Sequence, residues 1–350
     1  MTIPFLTRLP ALRGHWWRPA LVVLAVVVLL RVLDGSGGTF WTQVVTRAMI
    51  LVLFAVSADL LWGYTGVFTL GHAVAFGVGG YTAGLLADRF GWSEVLPLAA
   101  AAALAAAAVG AIIGLLLFLG RRPLTAIAVS LTTLAISFVA ERVAFGWSFV
   151  GAANGLPGLP IPTLFGWRVE PGVRFFVVAL GTLLVGLFVA HRLVGSRVGL
   201  VMRAVRDDDV RAAYLGYAVG RIRFVVFVGS NAVAGLAGAL FALHEGFVGP
   251  TQIGVVLSTQ VLLWLVLGGR GVLLGAVVGV AIVEVAGRGV ADDYPRQWPV
   301  ILGVVLLVFV TALPGGIVDG VRRLRRRGVA TRSSHDVAAA SSASTGSGMS

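Results

Sequence analysis

Three stretches of this chain are too long and too apolar for anything but a membrane. Residues 95–120 run 26 residues without a charged side chain, 298–318 run 21 and 224–243 run 20. About 20 such residues span the roughly 30 Å hydrocarbon core of a bilayer. Composition agrees: 58% of residues are hydrophobic, 12% are charged, and mean hydropathy is +0.96, whereas soluble domains carry about 25% charged residues. The expected fold class is therefore all-α, a polytopic integral membrane protein.

The apolar segments fall at about 19–30, 40–62, 67–87, 95–119, 123–146, 173–193, 222–246, 253–268, 272–290 and 297–318. That makes ten, or eight to nine if 67–87 is re-entrant or 253–290 is one broken pair. All 27 basic residues are Arg, and they gather in loops beside these segments. With both termini cytoplasmic, 19 arginines lie inside and eight outside, as the positive-inside rule requires. Residues 1–18 form a basic, Trp-bearing N-terminus with no A-x-A-like cleavage site following, which points to an uncleaved first helix. Residues 19–320 form the transmembrane domain, and 321–350 a basic stretch ending in a low-complexity, disordered tail.

Several functions are excluded at once. There is no Cys, and the five His are scattered without metal-ligand spacing, so no metal site is expected. The net charge of +12 sits in loops flanking apolar segments, which argues for topology rather than nucleic acid. No Lys means no phosphate-binding P-loop. If ATP drives this protein, another polypeptide binds it.

The stretch "LLWGYTGVFTLGHAVAFGVGGYTAGLL" (60–86) carries seven glycines and His72 inside apolar sequence. Glycine permits close helix packing, or a broken segment whose freed backbone is tolerated only where protein or water covers it. A histidine here either bonds a neighbouring backbone carbonyl to lock two helices or touches substrate. Asp59, Glu141 with Arg142, His244 with Glu245, and Glu284 raise the same question, but most lie near expected helix ends, where side chains snorkel to water. A faint echo links 63–71 to 268–275.

Two non-membrane segments stand out. Residues 195–222 place Arg203 and Arg206 on one short amphipathic helix. Asp207 and Asp208 can cap a second, with Asp207–Arg211 as an i, i+4 pair and Gly216 placed to end it. Together they make a cytoplasmic docking surface. Residues 147–172 form a Gly/Pro/Asn-rich outer loop.

The stretches "DLLWGYTGVFTLGHAVAFGVGGYTAGLL", "VMRAVRDDDVRAAYLGYAVGRIRF" and "VLLWLVLGGRGVLLGAVVG" resemble the inner-membrane permeases of ABC importers for branched-chain amino acids and urea, in particular the M-type partner of the two dissimilar permeases. The resemblance runs over roughly residues 43–318. It implies that Gly63, Tyr64, Gly66, Leu70, Gly71, His72 and Phe76 belong to the substrate pathway. It likewise implies that Arg203, Ala204, Arg206, Asp207, Asp208, Asp209, Leu215 and Gly216 couple to the ATPase. "GAANGLPG" (151–158) looks like the outer loop on which a binding protein docks, through Asn154, Gly155 and Gly158. The implied partners are a second permease, two ABC ATPase subunits that bind the ATP, and a periplasmic or lipid-anchored solute-binding protein. The implied location is the bacterial cytoplasmic membrane. The chain itself carries no cofactor and catalyses no reaction. Leu215-Gly216-Tyr217, "GGRG" (268–271) and "YPRQW" (294–298) lean toward the urea branch, which leaves both solute classes open. The competing reading is an ion-coupled secondary transporter of small polar solutes working without an ATPase. A structural scaffold would leave the Gly-rich segment unexplained.

Overall fold

The computed structural model describes residues 39–120 and 124–286, together with Gln297, Gly303, Val304, Leu307, Gly316 and Ile317. The expected first helix at 19–30, most of the 297–318 segment and the 321–350 tail lie outside the described residues. The described chain is helical almost throughout: α1 (Thr39–Thr65), α2 (His72–Phe90), α3 (Val95–Phe118), α4 (Ala126–Gly146), α5 (Val173–Gly195), α6 (Arg197–Asp207), α7 (Asp209–Tyr214), α8 (Val219–Glu245), α9 (Val255–Gly268) and α10 (Leu273–Ala281). A π-helical turn, Ile282–Ala286, continues α10. Six of the described helices are long and apolar enough to cross a bilayer. This is a polytopic helical membrane protein.

The 19-residue α2 is different. The sequence placed its start near 67, but it begins at His72, and 66–71 have no helical backbone. His72 meets Ser57, about 12 Å up α1 from Thr65 at 1.5 Å per residue. The chain thus climbs into the bundle without helix before α2 begins. Gly66 makes the exit from α1 possible, since its φ of +76° is a left-handed conformation that only glycine adopts freely.

Helix α1 is central, with 94% of its apolar window buried, whereas α4 is peripheral at 17%. Lipid offers apolar side chains no reason to leave it, so close packing must hold such a bundle. The packing is backbone to backbone where α2 crosses α8. Gly79 abuts Gly235, and Gly238 abuts the Phe76 carbonyl, with no room for a Cβ at either glycine. The alanine-rich α3 offers Ala102 and Ala106 to the other side of Gly235. The glycines of 60–86 therefore serve packing and chain reversal together.

Among the described residues sheet is confined to one end. Antiparallel β1 (Leu156–Pro157) and β4 (Phe247–Val248) pair Leu156 with Val248, and β2 (Thr163–Leu164) pairs with β3 (Trp167–Arg168) in a hairpin. We call this the far end, and the end bearing α6 and α7 the near end.

Candidate functional site

The break at 66–71 releases backbone groups inside the bundle, and α4 receives them. Ser130 Oγ donates to the Phe68 carbonyl (3.1 Å), Leu70 N–H donates to Thr133 Oγ1 (3.1 Å), and Ser137 Oγ donates to the Leu70 carbonyl (2.9 Å). Spacing of three and four residues places these hydroxyls on one helix face. Gly71 lies against Thr133, where a Cβ would sit 2.9 Å from its carbonyl oxygen. Leu70 and Gly71, assigned to the pathway by resemblance, are thus the seat of α4 on the break.

His72 is 3% exposed. Its Nε2 lies 2.8 Å from Ser57 Oγ, and that hydroxyl donates its own proton to the Phe54 carbonyl (2.6 Å). Nε2 must therefore carry the hydrogen that Ser57 accepts. Phe54 stacks on the imidazole at 5.3 Å with 9° between planes, and Phe76 packs on Phe54 at 4.6 Å. Ser230 Oγ donates to the Ser57 carbonyl, bringing α8 to the same point.

At the near end the two groups of residues singled out by resemblance meet. Gly63 and Tyr64 form the last turn of α1. Arg206 Nη1 reaches from α6 to donate to the Gly63 carbonyl (2.7 Å), and the Gly271 N–H donates to Asp59 Oδ1 (2.7 Å). Gly63 is closed in by Asp59 and Gly271, and Gly66 lies against Arg206. The faint echo between 63–71 and 268–275 is thus also a contact. Asp59, which is wholly buried, joins the two turns.

The 195–222 segment forms the two short helices the sequence implies. Asp208 caps α7, its carboxylate accepting from Arg211 N–H at 2.8 Å, and Gly216, with φ +88°, ends it. The expected Asp207–Arg211 pair does not form. Arg211 turns instead to its cap, Asp208 (3.3 Å), while Asp207 pairs with Arg206 (3.0 Å). Asp209 reaches Arg223 at the start of α8 (3.0 Å), and Arg203 donates to the Val194 carbonyl (3.3 Å). Ala204 accepts the α7 cap's N–H through its carbonyl. Beside the solvent-exposed Arg211, α7 and its exit leave Val210, Tyr214 and Leu215 exposed.

In the far-end loop Asn154 and Gly158 are exposed, while Gly155 is buried against Val248 and Gly249. The β2–β3 hairpin closes on Glu94, whose carboxylate accepts from Gly166 N–H and Phe165 N–H, each at 3.0 Å, and from the Thr163 hydroxyl. The Gly166 hydrogen bond, followed by those of Thr163 and Phe165, outweighs partial desolvation and holds this carboxyl below the ordinary range.

One cluster escaped the sequence reading. Arg47 on α1 lies between Glu245 at the end of α8 (3.4 Å) and Glu284 in the π turn (3.5 Å). Arg47 and Glu245 are 198 residues apart. The signal available was a lone Arg within an apolar segment, whose charge needs a partner at membrane depth.

A family model described as "Branched-chain amino acid transport system / permease component" matches residues 40–311. The high-affinity branched-chain amino acid transport system permease protein LivM of Escherichia coli (strain K12) is 29% identical, with 90% of this chain and 78% of that protein aligned. LivH of the same strain is 23% identical over 78% of this chain and 92% of its own length. The autoinducer 2 import system permease protein LsrC of Escherichia coli O9:H4 (strain HS) is 28% identical over 88% and 90%. No solved structure matches the chain. The family match begins within α1 and runs past the π turn, across every site residue named above, and on that ground the chain belongs to the branched-chain amino acid transport permease family, whose members are transport subunits.

Proposed function

We propose that this chain is one of two dissimilar permease subunits of an ATP-driven importer in the bacterial cytoplasmic membrane, moving branched-chain amino acids. The observation that carries this reading is the union of the docking segment with the helix break. Val210, Tyr214 and Leu215 offer an apolar knob to a partner, while Arg206 and Asp209, beside them in the chain, hold α1 and α8. The near end is then cytoplasmic, as are both termini. Two ATPase subunits bind the ATP and grip α6–α7, and a solute-binding protein docks on the far end around Asn154 and Gly158. Differential binding of ATPase states shifts the helices between inward- and outward-open populations. Solute crosses between this chain and its partner permease.

Co-purification with the products of neighbouring genes, followed by ATP hydrolysis in lipid discs, tests this. Stimulation by leucine, isoleucine or valine with the binding protein is expected; stimulation by urea alone would move the chain to the urea branch. If no ATPase travels with the chain and it moves solute alone on an ion gradient, the importer reading is overturned in favour of a secondary transporter.

A further inference from the structure

A cavity of about 350 Å3 opens toward the far ends of α1, α8, α9 and the π turn, at the low end of the 300–1,000 Å3 range of small-molecule pockets. Its polar wall is Arg47, Glu245, Glu284, Thr251, Gln252 and Gln260. Leu51, Phe76, Phe241 and Leu257 supply an apolar wall, and the Arg47 guanidinium lies over the Phe241 ring, 5.1 Å from its centroid.

This is not a closed structural ion pair. Charge-assisted N–H···O contacts run about 2.7–2.9 Å, yet Arg47 stands 3.4 Å from Glu245 and 3.5 Å from Glu284. Its Nε faces Glu284 Oε2 at that longer distance without a hydrogen bond, and Gln252 Oε1 is buried without any hydrogen-bond partner. Orphaned buried groups are costly and call for a ligand or water. Glu284 also sits in a π-helical turn, an irregularity frequent at functional sites. The cavity thus sets a planar fork of donors beside carboxylates and an amide acceptor, with aliphatic and aromatic surface adjoining.

That is the complement of one chemistry. We infer that the cavity is a transit site within the permease for a zwitterionic α-amino acid with an apolar side chain. The ligand carboxylate meets Arg47, its ammonium lies between Glu245, Glu284 and Gln252 Oε1, and its side chain packs on Phe76, Phe241 and Leu257. Phe247 belongs both to the cavity wall and to β4, which pairs with the 147–172 loop, so solute delivered at that loop has a short way in. The inference rests on the import reading above.

The test is equilibrium binding of labelled leucine to the purified importer without ATP or binding protein, with leucinamide and 4-methylpentanoate as competitors. These lack the carboxylate and the ammonium charge partner respectively. Each should compete about tenfold more weakly than leucine, the loss expected for one charge-assisted contact. Arg47→Met should abolish the preference for leucine over leucinamide, and Glu245→Gln the preference over 4-methylpentanoate. A merely structural ion pair would change neither selectivity. Gln252→Leu removes an acceptor that has no protein partner, so it should leave assembly intact and weaken leucine binding about threefold. Absent leucine binding, equal competition by all three compounds, or selectivity unchanged in the variants overturns the site. Should binding follow this pattern while ATP-driven uptake fails, the import reading falls and the site stands.

Discussion

His72 and Ser57 show how one polar pair is tolerated in a bundle core. Ser57 spends its proton on the Phe54 carbonyl and so has only lone pairs for the imidazole, while Phe54 covers the ring face. Ser57→Ala removes the acceptor and leaves a buried N–H unmatched, a loss of about 1–3 kcal/mol. His72→Phe removes the donor as well and keeps a ring to stack on Phe54. The double variant should therefore recover most of the stability lost in Ser57→Ala, which thermal unfolding of the purified chain in detergent would read as a coupling between the two sites. Additive losses would mean that the 2.8 Å contact does not set the stability of this region. The sequence suggested a backbone carbonyl as the helix-locking partner of His72, whereas the partner is the Ser57 hydroxyl, because a side chain 15 residues earlier on a different helix becomes a neighbour only once the break returns the chain.

Among the elements, α4 has the least expected task. Its sequence reads as a plain apolar span, yet Ser130, Thr133 and Ser137 form a stripe that accepts and donates along the broken backbone. Thr133→Val keeps the shape and removes the acceptor of Leu70 N–H, at a local cost of about 1–3 kcal/mol where water is scarce. Amide exchange at 68–71 should quicken in Thr133→Val and stay near the wild-type rate in Thr133→Ser; equal rates in all three would show that α4 does not hold the break. Helix spans were legible because crossing a bilayer is a matter of length and polarity along one dimension. The Asp208 cap and the Gly216 stop were legible because caps are chemistry within four residues. The Asp207–Arg211 pair was misjudged on the same scale: both acids were within reach, and the one that capped the helix also took the arginine. The hydroxyl stripe was present in the spacing, but nothing in the spacing says what a face will meet.

At the scale of the whole molecule, three helices run from the α6–α7 segment to the Arg47 cavity. Helix α1 carries Gly63 and Asp59 at one end and Arg47 toward the other, α8 carries Arg223 and Glu245, and the α10 stretch starts beside Gly271 and ends in the turn holding Glu284. The residues that bind each near end are Arg206, Asp209 and Asp59. Such an arrangement lets movement of α6–α7 displace all three cavity charges, and none of it was visible in sequence, since each link joins residues far apart along the chain. Intermediate position alone does not demonstrate coupling, so the link has to be cut. Arg206→Met retains the aliphatic stem against Gly66 and removes the hydrogen bond to the Gly63 carbonyl. It leaves Val210, Tyr214 and Leu215 untouched, so the ATPase should co-purify in wild-type amount. Solute moved per ATP hydrolysed should fall about tenfold, the value of one charge-assisted hydrogen bond made in only one of two states. A wild-type ratio would mean that α6 is anchored at Gly63 without driving it, and that the stroke enters through Asp209 and α8 alone.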